Sequence, residues 1–330
     1  MKIGIIGTGN VAVNNYLPCL SKHRDFDFIY LSRTRSKVEK CVEKFGGIIV
    51  DSPAEMMKHN PGLIFILTLE DKHYDLAGEL LKYHPQRLFF EKPLHARNGQ
   101  AHVCENDFWE ARKLLNQADE LGVGTAIGFN YRFFETSKQI FKLVANKAMG
   151  ELIHASFFVN YACWSHCIDL FRWLGGEPLS VTALNGNTAW GDGAMKAYDL
   201  SCAMVMKNGG SATILGTSSS ALNRPLYQAL LNYEKGMITF GDLDAEVKIR
   251  REDSSYIETQ SLLPVGSPWI QYGESFIKSI EAYLASVEKG LPPPVPAREG
   301  LRELQFEAAL RRSAATGKPV EIEKEFPLDM

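Results

Sequence analysis

Six residues near the start of the chain, Gly7-Thr8-Gly9-Asn10-Val11-Ala12, have the types and spacing to hold a phosphate. They fit G-x-G-x-x-G/A, directly after the apolar run Ile3-Gly4-Ile5-Ile6 and directly before an amphipathic stretch. In that setting the first glycine makes a tight turn and the second lets backbone approach a pyrophosphate. The small third residue lets helix and strand pack closely. N–H groups at the helix start, from Asn10 and Val11 onward, are donors for the anion. A glycine turn with no ligand is the plainer reading, and the strand before it and the helix after it argue against that reading.

The end of the second strand normally selects the dinucleotide, through an acidic residue that accepts from the ribose 2′-OH about 20 residues past the glycines. Here the stretch is Ser32-Arg33-Thr34, with Arg35 and Lys37 following. A guanidinium and two hydroxyls without a carboxylate suit a 2′-phosphate, so NADP is expected in preference to NAD. NAD remains open if Arg33 only stacks on the adenine.

Leu88-Phe89-Phe90-Glu91-Lys92-Pro93 reads as a strand running into a proline. Lys92 therefore stands at the carboxyl end of a sheet, where ligands of open α/β sheets bind, in the extended conformation that a following proline imposes. A surface lysine is the bland alternative.

Taken in order, the glycine turn, Glu91-Lys92-Pro93, Gly128-Phe129-Asn130-Tyr131-Arg132-Phe133, His166-Cys167-Ile168-Asp169-Leu170 and the tail Ser313 to Val320 resemble the glucose-fructose oxidoreductase, inositol dehydrogenase and MocA family. The resemblance spans nearly the whole chain. It implies an N-terminal Rossmann domain with a doubly wound parallel sheet, and a C-terminal α/β domain on a large, open, mainly antiparallel sheet. It also implies a cleft site, oxidation or reduction of a sugar, cyclitol or related polyol, and a homodimer or homotetramer formed through the sheet. Carried over, Lys92 bonds both substrate and cofactor, and His166 is the acid/base. Thr68 and His73 match the family stretch beside the cofactor, with Leu69 where a proline is usual.

Those residue types suit the chemistry. Removal of hydride from a carbinol requires a base for the hydroxyl proton, and imidazole titrates near neutrality. An ammonium stabilises the oxygen as charge develops. Many members also place an aspartate four residues before the histidine, whereas this chain has Ala162. Strand alternation puts Asn160 on the side of Ala162, where it could hold a substrate hydroxyl. Lys92 and His166 alone, a hydroxyl from Tyr131 or Tyr161, or a dinucleotide-binding sensor without catalysis are the three resulting options, and the first is preferred. Asp169 either orients the imidazole or binds substrate. Asn130 and Arg132 follow the last Rossmann strand and line the cleft, or Arg132 anchors the junction. Trp164 closes over a sugar face or packs in the core. Cys163, His166, Cys167 and Asp169 lie close together, but C-x-x-H-C is no usual zinc spacing, and no metal is expected.

These residues need a scaffold. Apolar runs at 2–6, 26–31, 48–50, 63–67, 88–90 and 125–127 alternate with helical periods at 10–20, 37–45, 74–83 and 108–121, which predicts a covered parallel sheet. Beyond 151, period-two runs at 151–161, 179–186, 201–206, 211–216 and 227–233 predict an antiparallel sheet, followed by helices at 270–288 and 298–315. The domains are expected at 1–128, binding dinucleotide, and 129–330, binding substrate and forming the oligomer. Among 330 residues 45% are hydrophobic and 23% charged, the balance of a globular protein. A net charge of -3 offers no field for nucleic acid. No segment resembles a signal or membrane span, and six scattered cysteines read as reduced and mostly buried, so a cytoplasmic location is expected.

Overall fold

The computed structural model describes residues 1–219, 225–243, 246–261 and 268–329, in two compact units. The first holds six strands, β1 (Lys2–Ile6), β2 (Asp27–Leu31), β3 (Ile48–Ile49), β4 (Leu63–Ile66), β5 (Arg87–Phe90) and β6 (Gly124–Ile127). They pair in parallel in the order β3-β2-β1-β4-β5-β6. β4 is buried at every position, as a strand covered on both faces must be, and its Leu-Ile-Phe-Ile sequence supplies that burial. The order reverses between β1 and β4, which is the switch point of a doubly wound fold. Helices Arg35–Phe45, Pro53–Lys58, His73–Leu81 and Glu105–Glu120 alternate with the strands. Ser52 caps the second of these by accepting the Glu55 N–H at 3.1 Å.

Packing divides the chain differently from a single cut after residue 128. Phe276–Arg302 belongs to the first unit, together with Met1–Arg97 and Asn106–Phe129. The reason is aromatic. Phe276 packs edge-on against Tyr16 at 5.7 Å, and Tyr283 lies 5.0 Å from Phe89 and 6.3 Å from Phe65. The first unit thus needs a late part of the chain to complete its core.

The second unit holds nine strands, β7 (Leu152–Asn160), β8 (Pro178–Trp190), β9 (Ala197–Met206), β10 (Ser211–Thr217), β11 (Tyr227–Tyr233), β12 (Gly236–Gly241), β13 (Glu246–Arg251), β14 (Ile257–Ser261) and β15 (Val320–Glu321). Their order is β14-β13-β12-β11-β7-β10-β9-β8-β15. Only β7 and β10 run in parallel among the described pairs, so the sheet is mainly antiparallel as the resemblance implied. One face packs on helices. Phe157 of β7 meets Phe171 of helix Trp164–Gly175 at 5.6 Å, and Phe171 meets Phe306 of helix Ala297–Thr316 at 6.1 Å. The other face carries rows such as Thr182, Ala203, Thr213, Ser156, Leu230 and Thr239, each residue paired with the next across the sheet. Strands β12 to β14 and helix Glu135–Ala145 were not anticipated from sequence. Among the described residues, no helix is long and apolar enough to cross a membrane.

Candidate active site

The glycine turn has the conformation its sequence requires. Gly7 has φ of +97°, and a Cβ there would lie 2.8 Å from the Leu67 carbonyl oxygen, so both backbone and space demand glycine. Its N–H donates to the Leu31 oxygen at 2.9 Å, tying the turn to the end of β2. A Cβ on Gly9 would meet nothing within 4 Å, so the space above it is open to an approaching ligand. Thr8 is buried and donates to the Ser32 hydroxyl at 2.9 Å. Asn10 and Val11 are exposed at the start of the helix, whose hydrogen bonding begins with the Val13 N–H on the Gly9 oxygen.

Beyond β2, Arg33, Thr34 and Lys37 are exposed, and Thr34 precedes helix Arg35–Phe45 without capping it by its side chain. Arg35 is engaged with Glu39 at 3.0 Å and Asp51 at 3.7 Å. Arg33 makes no ion pair among the described residues.

Past β4 and β5 the chain is clasped by His73. This buried ring places Nε2 3.1 Å from the Thr68 oxygen and Nδ1 3.1 Å from the Leu94 oxygen, spanning the loops that follow the two strands. Burial lowers its pKa and favours the neutral ring, which donates from one nitrogen. The Thr68 hydroxyl is buried with no hydrogen-bond partner, an orphaned donor at the carboxyl end of the sheet. Lys92 is half-buried, followed by buried Pro93, and Glu91 turns its carboxyl inward. Tyr16 donates to Glu91 Oε1 at 2.7 Å and the Lys92 N–H donates to Oε2 at 2.9 Å. Glu91 was expected among the cofactor-binding residues, yet its two oxygens are used inside the protein.

In the second unit, His166 lies in helix Trp164–Gly175, whose first turn is buried. Its ring stacks on Tyr131 at 4.0 Å and 9°, a contact that fixes the imidazole plane. Tyr131 shares a hydrogen bond with Cys163 Sγ at 3.2 Å, and burial raises the phenol pKa well above its usual value, so it stays neutral. Tyr161 is likewise raised by burial and donates to the Tyr198 oxygen at 2.9 Å. Arg132 makes a two-pronged pair with fully buried Asp169, at 2.7 and 2.5 Å, and lies over the Trp173 ring at 5.3 Å. Three other expected substrate contacts have internal roles. Asn130 is buried and donates to Ser275 at 2.7 Å. Asn160 accepts the Ala162 N–H at 2.9 Å and so caps the turn at Tyr161–Cys163. Trp164 is fully buried against Tyr161 at 5.2 Å, with its indole N–H unpartnered.

Sequence reasoning missed Tyr16, whose only signal was a phenol inside an amphipathic helix. It also missed a second charge cluster. His95 Nε2 lies 2.7 Å from Glu110 Oε2 and 3.6 Å from Asp107 Oδ1, a grouping with metal-ligand chemistry. Arg97 already occupies it, donating its N–H to Asp107 at 2.9 Å and its guanidinium to Glu110 at 2.8 and 3.1 Å.

A six-stranded doubly wound sheet with an open glycine turn, joined in one chain to a nine-stranded mainly antiparallel sheet, defines a dinucleotide-binding protein of two-unit build. Residues 1–124 match the oxidoreductase family with an NAD-binding Rossmann fold, and residues 154–322 match the C-terminal alpha/beta domain of the same Gfo/Idh/MocA family. The chain belongs to that family, and it is an NAD-binding oxidoreductase. It is 20% identical to a myo-inositol 2-dehydrogenase of Thermotoga maritima, over 98% of this chain and 99% of that one. Two solved structures share the fold over 98% of this chain and 99% of theirs. One is an oxidoreductase from Agrobacterium radiobacter in complex with NAD+, L-tartaric acid and magnesium, at 15% identity and a TM-score of 0.81. The other is levoglucosan dehydrogenase in complex with NADH and levoglucosan, at 15% identity and a TM-score of 0.79.

Proposed function

We propose that the chain transfers hydride between NADP and a hydroxyl/carbonyl pair of a sugar, cyclitol or related polyol. The observation that carries this reading is the open glycine turn at the switch point of a parallel sheet that also presents Lys92 at its carboxyl end. Gly7, Thr8, Gly9, Asn10 and Val11 would hold the pyrophosphate, and Thr68, with its orphaned hydroxyl, is a donor still to be used. Arg33, exposed and without an ion pair among the described residues, favours NADP over the NAD seen with the relatives. Its fork, with Ser32, Thr34 and Lys37, suits a 2′-phosphate.

When bound, the dinucleotide supplies the hydride acceptor. Lys92 donates to the carbinol oxygen and stabilises it as the carbonyl forms, and His166 takes the hydroxyl proton, returning it in reduction. The phenols of Tyr131 and Tyr161 have pKa values raised by burial and are internally bonded, which supports the choice of His166 over either tyrosine. The likeness to myo-inositol and levoglucosan dehydrogenases supports the substrate class. The open sheet face supports assembly as a homodimer or homotetramer, since Leu184 and Val205 on it are 66% and 49% exposed.

The test is turnover of a panel of cyclitols, anhydrosugars and sugar phosphates with NADP+ and NAD+. Oxidation of at least one, abolished in Lys92→Ala and reduced by about 100-fold or more in His166→Ala, is expected. Tight NADPH binding with no turnover of any polyol or keto sugar would overturn the enzyme reading. A decrease of only a few-fold in His166→Ala would reduce that histidine to a residue that orients substrate.

A further inference from the structure

Three separated parts of the sequence meet beneath Lys92. The helix after the glycine turn contains a π segment at Ala12–Tyr16, in which the Leu17 N–H reaches back five residues to the Ala12 oxygen. Such segments insert a residue into a helical turn and recur at functional sites. Here Tyr16 lies at the end of the segment. Its ring is held edge-on by Phe65 and Phe89, both at 5.8 Å, and by Phe276 at 5.7 Å, so the phenol has one direction in which to point. That direction is Glu91, whose Oε1 it reaches at 2.7 Å while Oε2 accepts the Lys92 N–H at 2.9 Å. Gly128 leaves the room. A Cβ there would lie 2.7 Å from the Tyr16 hydroxyl, 3.4 Å from the Phe89 ring and 3.5 Å from Glu91 Oε1.

We infer that Tyr16 and Glu91 form a buried brace that fixes the backbone of Lys92, with Gly128 as the gap that admits it, and that both are positioning residues for the oxidoreductase reaction. The carboxyl is buried and consumed on both oxygens, by the Tyr16 phenol and the Lys92 amide, so protein groups and not water set its orientation. Without the phenol, Oε1 is left buried and unpaired, and the side chain has reason to rotate away from the Lys92 amide. The same brace connects the helix that receives the pyrophosphate to the lysine that meets the substrate.

The functional part of this inference rests on Lys92 acting at the substrate, and two measurements on the full chain separate the two ideas. Amide hydrogen exchange by NMR reads the brace without any substrate. In Tyr16→Phe the Lys92 amide should exchange about tenfold faster, the weight of one hydrogen bond. The Glu91 amide, bonded to the Ile66 oxygen at 3.0 Å, should be unchanged and serves as the control. Gly128→Ala should do the same, and Tyr16→Phe decides the matter if that variant does not fold. Unaltered Lys92 exchange, or equal acceleration of both amides, overturns the brace. With the polyol that the chain oxidises fastest, Tyr16→Phe should lower kcat while leaving KM for the dinucleotide unchanged, and equal changes in both overturn the positioning role. Full activity in Lys92→Ala would instead sink the catalytic reading of Lys92, and the exchange data would still judge the brace.

Discussion

Gly7 and Gly9 serve one turn by opposite means, and their replacement should separate fold from function. Alanine at Gly7 faces a positive φ, which costs roughly 1–2 kcal/mol, as well as the Leu67 carbonyl. Alanine at Gly9 meets no protein atom, so Gly9→Ala should keep its melting temperature and lose dinucleotide affinity by at least about tenfold, read by NADPH fluorescence titration. Equal affinity in Gly9→Ala would remove the pyrophosphate from this turn. At Arg33, replacement by alanine should weaken NADPH by about tenfold, the loss of roughly 1.4 kcal/mol from a charge-assisted contact, and leave NADH unchanged. The turn itself was legible because short-range spacing sets its conformation. The pairing of Tyr16 with Glu91 was not, because 75 positions separate them and nothing local marks a phenol as the partner of a distant carboxyl. Nor was the Arg132 pair with Asp169, 37 positions apart: the sequence left Arg132 to the cleft or the junction without a partner, and Asp169 to the imidazole or the substrate.

At the scale of elements, the helix Ala297–Thr316 departs from the usual division into an apolar and a polar side. Glu303 and Glu307, one turn apart, are both buried, and Arg311 a further turn on donates to Glu307 at 2.7 Å. Burial, and then the neighbouring Glu307 charge, raises the Glu303 pKa well above its ordinary 4.5. The folded chain therefore holds a proton there that the unfolded chain has released above pH 4.5, and stability falls as pH rises through that window. Glu303→Gln keeps the shape and removes the proton uptake. Its melting temperature should exceed that of the unsubstituted chain at pH 8, with the gap closing as pH falls toward 4.5, by at most about 1.4 kcal/mol per pH unit. A gap independent of pH would show that Glu303 is ionised in the fold. Periodicity had marked the helix itself but not its inward acids. Strands β12 to β14 escaped notice for a related reason. β13 reads Glu-Val-Lys-Ile-Arg-Arg, and four charges in six residues conceal an alternation that only pairing with β12 brings out.

Across the whole molecule, the parallel sheet, the mainly antiparallel sheet and their order along the chain were all readable, because alternation of strand and helix and period-two runs are properties of the sequence alone. Which strands become neighbours was not, since the parallel pairing of β7 with β10 depends on helix Trp164–Gly175 and two intervening strands. The open sheet face should govern assembly. Leu184→Asp, on that face and 66% exposed, is expected to shift the protein toward single chains in sedimentation velocity while dinucleotide affinity is retained. An unchanged sedimentation coefficient in an assembled protein would move the interface elsewhere. The return of Phe276–Arg302 to the first unit bears on events at the ribosome. When residue 129 has emerged, the six-stranded sheet is complete in sequence, but Tyr16, Phe65 and Phe89 still lack the rings of Phe276 and Tyr283. At roughly 5–20 residues per second, the nascent chain waits on the order of ten seconds or more with that aromatic patch uncovered. The dinucleotide-binding unit is the first to be made and among the last to be finished, so chaperone demand should concentrate in this interval of synthesis.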